Sequence, residues 1–342
     1  MTDTLTASYP KAALWRWVRL TGGVLVLALL VWKVGTGPFL DALRGIDRRS
    51  VAGALALGVP ITLCGAWRWR LVAAGMGIRL PLGHALAACY RAQFLNSTLP
   101  TGVVGDVHRA VRHGADVGDM GLGIRAVALE RFSGQAATIA IAVLALALMP
   151  SPVKADMPTL LSAIALAVAL VALVAWAFAR KIANAHKIAP KARNAPRSWG
   201  AAAALVVHML GRVRGDIKGL FTGGAWLGVV ITSSVALAGH LATFVLAART
   251  AGATAPLVLL IPLILLALLA MVLPLNVAGW GLREGTAAWA FGAAGLTAAQ
   301  GVSAAVTYGV LVTVASLPGA AVLILRWANR ELGDGDVRDD RE

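Results

Sequence analysis

Residues 82–113 read LGHALAACYRAQFLNSTLPTGVVGDVHRAVRH, and residues 256–295 read PLVLLIPLILLALLAMVLPLNVAGWGLREGTAAWAFGAAG. Both stretches are apolar and both carry Leu-Pro followed by glycines near the midpoint. A helix breaks there, because proline has no N–H to donate and clashes with the preceding turn. Leu99-Pro100-Thr101-Gly102-Val103-Val104-Gly105 aligns with Leu273-Pro274-Leu275-Asn276-Val277-Ala278-Gly279. The same offset carries the apolar run that starts near 51 onto the run that starts near 223. A span, a broken stretch and a second span therefore occur twice, at 51–149 and at 223–327.

The surroundings of these stretches belong to a membrane protein. The chain has 342 residues, is 58% hydrophobic and only 14% charged, and has a mean hydropathy of +0.76. Soluble proteins carry roughly 25% charged residues. Uninterrupted apolar runs at 14–34, 51–72, 121–149, 158–180, 223–248 and 301–327 are of the length a helix needs to cross the bilayer. Met1 to Pro10 are polar and no small-residue cleavage site follows, so the first run reads as a retained span and not a signal peptide. Cys64 and Cys89 provide neither a disulfide framework nor metal-ligand spacing, and no cofactor is expected.

The net charge of +15 does not point to nucleic acid, because the basic residues cluster beside apolar runs. They report topology and attraction to anionic headgroups. If the first broken stretch crossed the membrane once, the nine basic residues between Arg180 and Lys218 would lie outside. If it returns to its own side, they lie in the cytoplasm with both termini, and positive charge is concentrated inside. The expected fold is an all-α polytopic protein of six full spans plus two re-entrant hairpins, 82–113 and 256–295, entering from opposite faces as an inverted repeat. Such repeats place a site near the midplane. Residues 181–218 form a basic cytoplasmic linker and 333–342 a charged tail, and the setting is a bacterial inner membrane.

Charges inside the apolar stretches are the candidate functional residues, because a charge in a span costs several kcal/mol unless it pairs or faces a polar cavity. Asp106 and Arg109, three apart, share a helix face after the Pro100–Gly105 break. Glu130-Arg131 lies in the first half of 121–149. Arg283-Glu284 follows Gly279 and Gly281, and Arg91 lies in the first arm of the first hairpin. Adjacent residues on a helix point apart, so the expected pairs cross between repeats, Glu130 with Arg283 and Arg131 with Glu284. Helices restarting after Gly102 and Gly281 would offer free N–H groups to a phosphate, which arginines also grip.

Plainer readings stand beside these. Each Pro-Gly break, taken alone, serves equally well as a kink. Arg91 and Arg125 can snorkel to an interface. Trp67-Arg68-Trp69-Arg70 reads as an interfacial anchor. His84, His208 and His240 read as structural. Asn96 is placed to bind broken backbone or substrate. Asp41 and Asp47 read as part of a solvated outer loop.

The ordered motifs Asn96-x-x-Leu99-Pro100-x-Gly102-x-x-Gly105-Asp106-x-x-Arg109, Glu130-Arg131 and Leu273-Pro274-x-x-x-x-Gly279-x-Gly281-x-Arg283-Glu284-Gly285 resemble the flippase-like family named for the transmembrane region of lysylphosphatidylglycerol synthase (MprF). The resemblance covers about 14–327. It implies a membrane domain that translocates an anionic or aminoacylated phospholipid or a polyprenyl-linked lipid. In the bifunctional synthases a soluble aminoacyl-transfer domain follows. The chain here ends at Glu342, so synthase activity is not expected. Two departures set this chain apart: Gly134 stands where members often have an acid, and Asn276 and Trp280 interrupt a segment that is usually small and glycine-rich.

The leading expectation is a lipid translocase that is not an enzyme, holding a headgroup through Arg109, Arg131 and Arg283, with small-residue-rich spans able to form a homodimer. One rival is a membrane glycosyltransferase acting on polyprenyl phosphate, which would need Asp41 or Asp47. The other is a non-transporting scaffold docking through the basic linker.

Overall fold

The computed structural model describes residue 32 and residues 35–99, 102–149, 211–212, 214–272 and 281–325. The expected span 14–34 apart from residue 32, the span 158–180, most of the linker, the tail, Pro100, Pro274 and Gly279 lie outside the described residues. Those described are helical apart from short connections, with no strand among them.

The described helices of the main unit are α1 (Gly37–Gly45), α2 (Arg48–Gly75), α3 (Leu82–Thr98), α4 (Val104–Val117), α5 (Met120–Leu148), α6 (Ala225–Thr250), α7 (Leu257–Ala270), α8 (Leu282–Ala293) and α9 (Ala298–Ala315). After a turn, α9 continues to Leu325. A second compact unit, 153–226, is described only near its end, where 214–222 are helical. Among the described residues, four helices are long and apolar enough to cross a membrane: α2, α5, α6 and α9 with its continuation, of 28, 29, 26 and 28 residues. Of the six expected full spans, these four are the ones the described residues cover. Between the members of each pair lie two short helices, 17 and 14 residues for α3 and α4, 14 and 12 for α7 and α8. None of the short helices reaches the roughly 20 residues a crossing requires.

Local chemistry sets the ends. Asp47 caps α2, its carboxylate accepting from the Ser50 N–H at 2.8 Å while Ser50 Oγ accepts from the Asp47 N–H. This hydrogen bonding holds the Asp47 carboxyl below its ordinary range. Asp41 lies within α1. The two acids expected in a solvated loop are therefore helical or capping residues. At the first break, α3 stops at Thr98, Gly102 takes a left-handed conformation (φ 64°), and α4 restarts at Val104. Gly118 (φ 72°) ends α4 before Asp119 caps α5.

Helices α3 and α4 form an antiparallel hairpin. Asn96 meets Gly105 and Asp106, Cys89 meets Arg109, and His84 meets Asp116 at 3.4 Å, each step down α3 matched by a step up α4. The approach is so close that a Cβ on Gly105 would lie 2.1 Å from the Ala92 carbonyl oxygen. Gly105 thus serves helix packing; the space beside it is filled by α3 and not left open for a headgroup. One apolar core joins α2, α3, α4 and α5 around Trp69, Ala88 and Val127. Another joins α2, α6, α7, α8 and α9 around Phe244, Leu263, Phe291 and Tyr308. Helix α2 contributes to both, so the two sets of helices share one wall.

Candidate functional site

Glu130 is fixed on α5 with 1% exposure, and burial there demands cationic partners. Arg109 of α4 donates from Nη2 to Glu130 Oε2 at 2.7 Å. Arg68 of α2 donates from Nε and Nη2 to Oε1 at 2.9 and 2.8 Å, and from Nη1 to Ser233 Oγ of α6 at 3.3 Å. Both carboxylate oxygens are thereby engaged by guanidinium groups. Arg109 also spans to Asp106 at 3.2 Å, its i,i+3 neighbour, and lies over the Trp69 ring at 4.7 Å.

Asp106 is the second anionic centre. Its Oδ1 accepts from Arg131 Nε and Nη2 at 2.9 and 2.6 Å, and its Oδ2 accepts from Asn96 Nδ2 at 2.9 Å. Asn96 Oδ1 in turn accepts from the Gly105 N–H at 2.8 Å. Asn96 therefore ties the end of α3 to the first turn of α4 across the break. The shared face of Asp106 and Arg109 is as the spacing requires.

The pairing expected between repeats is not what forms. Glu130 binds Arg68 and Arg109, not Arg283, and Arg131 binds Asp106, not Glu284. Arg283 instead binds its own neighbour Glu284 through Nε at 2.9 Å and through Nη2, at 3% and 0% exposure. The rule that adjacent helical residues diverge describes their Cβ atoms. In the first turn of α8, Glu284 folds back so that Oε2 accepts from the Gly281 N–H at 2.6 Å, which brings its other oxygen within reach of the long Arg283 side chain. Gly281 adopts φ 108°, which a side chain would resist, and so permits that turn.

The second constellation extends outward from Arg283. Its guanidinium lies 5.3 Å from the centroid of the Tyr308 ring, which stacks on Phe244 at 4.6 Å. The Tyr308 hydroxyl pairs with His240 Nδ1 at 2.9 Å. His240 is thus a hydrogen-bonded partner of the core. His84 pairs with Asp116, and His208 lies outside the described residues.

Two expectations about the helix restarts also change. The N–H at Gly281 is taken by Glu284, and that at Gly105 by Asn96. The protein's own side chains fill positions where a phosphate was expected to find free donors. Arg109 and Arg283, each 3% exposed, are sealed in, whereas the Arg131 side chain is 41% exposed. Among the candidate arginines for a headgroup, Arg131 is the one open to a ligand. Arg91 is buried at 2% exposure within the hairpin and does not snorkel.

Arg68 is the site residue that sequence reasoning missed. The Trp-Arg-Trp-Arg run divides: Trp67 is exposed with Arg70 stacked over it at 5.0 Å, while Trp69 is buried and Arg68 turns to Glu130. The usable signal was Gly134, one turn after Glu130 on the same face of α5, where the absent side chain admits a guanidinium. No group of three or more metal-ligating side chains occurs among the described residues.

A comparison with curated proteins gave no match. The family described as lysylphosphatidylglycerol synthase TM region matches residues 16–319, nearly the whole of this all-helical, multi-pass membrane protein. By that match, the chain belongs to the lysylphosphatidylglycerol synthase transmembrane-region family, and so to a group tied to lipid biology.

Proposed function

We propose that the protein is a lipid translocase of the bacterial inner membrane. Each half supplies two membrane spans and one re-entrant hairpin, α3–α4 in the first and α7–α8 in the second, as an inverted repeat with cytoplasmic termini. The two short helices of each half support this reading, since neither can cross alone and α3 and α4 run antiparallel.

The observation that carries the proposal is the charge balance around Arg131. Arg68, Arg109 and Arg131 share two carboxylates, Glu130 and Asp106, so the network holds one excess positive charge. Glu130 serves Arg68 and Arg109 together, Asp106 serves Arg131, and Arg131, with its side chain 41% exposed, is the member of this network that a ligand can best reach. The residues next in sequence to the pair are apolar and exposed: Phe132 follows Arg131 on α5, Val107 follows Asp106 on α4, and Val103 precedes the first turn of α4. One reachable cation in an apolar face suits an amphiphile whose phosphate meets Arg131 while its acyl chains stay in the bilayer.

Transport and not catalysis is the activity we assign. Asp47 is committed to capping α2, which leaves Asp41 as the other acid a glycosyltransferase reading could use. The test is reconstitution into liposomes with labelled phosphatidylglycerol, phosphatidic acid, phosphatidylcholine and a polyprenyl phosphate. Wild type should accelerate leaflet exchange of at least one phosphate-bearing anionic lipid, and Arg131→Gln should lose most of that acceleration. Equal rates for the two proteins and empty liposomes would overturn the proposal.

A further inference from the structure

We infer that Asp106 is a built-in counter-anion that an incoming lipid phosphate displaces from Arg131. The inference rests on the translocase reading for its ligand and goes beyond it by assigning Asp106 a competing role, not a binding one.

The geometry separates Asp106 from the other acids. Glu130 and Glu284 are sealed, at 1% and 0% exposure, and each is held by buried arginine. The Asp106 side chain is 18% exposed and its Arg131 partner 41%, so this ion pair is the accessible one of the network. Both hydrogen bonds from Arg131 converge on one oxygen, Oδ1. A phosphate offers two oxygens to the same fork and so matches a guanidinium better than one carboxylate oxygen does.

Displacement leaves neither side stranded. When Arg131 turns to a phosphate, Asp106 keeps Arg109 at 3.2 Å on Oδ1 and Asn96 at 2.9 Å on Oδ2. Arg109 keeps Glu130. The exchange therefore replaces one contact of Arg131 without uncovering a buried charge, which would be prohibitive at this depth. In the absence of ligand, Asp106 neutralises Arg131 within an apolar face. A zwitterionic lipid brings a cation with its phosphate and gains less from the exchange. Selection by charge follows from the competition itself. Exposed Val103 and Val107, near Asp106 in sequence, and Phe132, next to Arg131, favour a phosphate carried on a lipid over a free one.

The experiment measures binding to full-length protein in phosphatidylcholine nanodiscs, titrated with phosphatidic acid, with inorganic phosphate as a separate arm. Asp106→Asn keeps the Asn96 contact sterically possible and removes the competing charge. It should bind phosphatidic acid about tenfold more tightly than wild type, the scale of relieving one charge-assisted contact. Inorganic phosphate should bind both proteins at least tenfold more weakly than the lipid; equal affinity would overturn the lipid-borne assignment. Unchanged or weaker phosphatidic acid binding by a monodisperse Asp106→Asn protein would overturn the counter-anion role. Asp106→Glu provides the independent arm, since it retains the charge and should stay within about threefold of wild type. A tenfold gain there would contradict the role even if Asp106→Asn failed to fold. Arg131→Gln separates the two readings: retained binding sinks the headgroup site itself, whereas lost binding with no gain in Asp106→Asn sinks only the competition.

Discussion

Arg68 lays its guanidinium directly against Gly134, where a Cβ would lie 2.6 Å from Arg68 Cζ and 2.7 Å from Nε. The glycine therefore makes room for one of the two arginines on Glu130. The space beside Gly134 is filled by a cation from α2, with Glu130 one turn earlier as its partner.

Gly134→Ala should push Arg68 off Glu130. The expected destabilisation is about 1–3 kcal/mol, in the range for overpacking a tight site. Thermal unfolding in detergent measures it. In the background of Arg68→Ala the same change should cost much less, because the clashing group has gone. Additive losses would show that Gly134 matters for some other reason.

Glu130→Gln should be among the most damaging single changes. It leaves Arg68 and Arg109 around a neutral amide at a buried position, a loss of about 3–5 kcal/mol. Monodisperse yield and melting temperature report it. Exchanging the charges of Glu130 and Arg283 should give no rescue, since the two belong to different constellations.

Tyr308→Phe removes the hydroxyl that meets His240 but keeps the ring beneath Arg283 and on Phe244. A loss of about 1 kcal/mol is expected from the hydrogen bond. Tyr308→Leu should cost more, because the stacking and the cation–ring contact go as well. Equal melting temperatures for the two variants would argue that the ring contributes nothing.

Asp47 gives a pH dependence with a definite sign. Its folded carboxyl is more acidic than the usual 3.8 because the Ser50 N–H and hydroxyl stabilise the charged form. Its contribution is fully present above the unfolded value and fades as pH falls through the lower, folded one. The melting difference between wild type and Asp47→Ala should therefore be constant near neutrality and shrink only in strong acid. A difference that grows on acidification would contradict the cap.

Several features were readable along the chain because they depend on short-range chemistry. Proline without an N–H and glycine with free backbone fix the break between Thr98 and Val104, and the Asp106–Arg109 spacing puts both on one face. Apolar run length gave α2, α5, α6 and α9 to within a few residues of their observed ends. The buried charges were likewise legible as charges, since nothing but a polar contact tolerates them at such depth.

Which charge meets which was settled by tertiary packing. Pairing depends on how each helix is rotated about its axis and how far it approaches its neighbour, and those quantities come from core packing that sequence spacing does not encode. Ala92 against Gly105 sets the depth of α4 and hence the reach of Arg109; Gly134 sets the place of Arg68; the turn at Gly281 brings Glu284 back to Arg283. The residues themselves specified that buried charge must be neutralised, while the packed helices chose the partners and left Arg131 within reach.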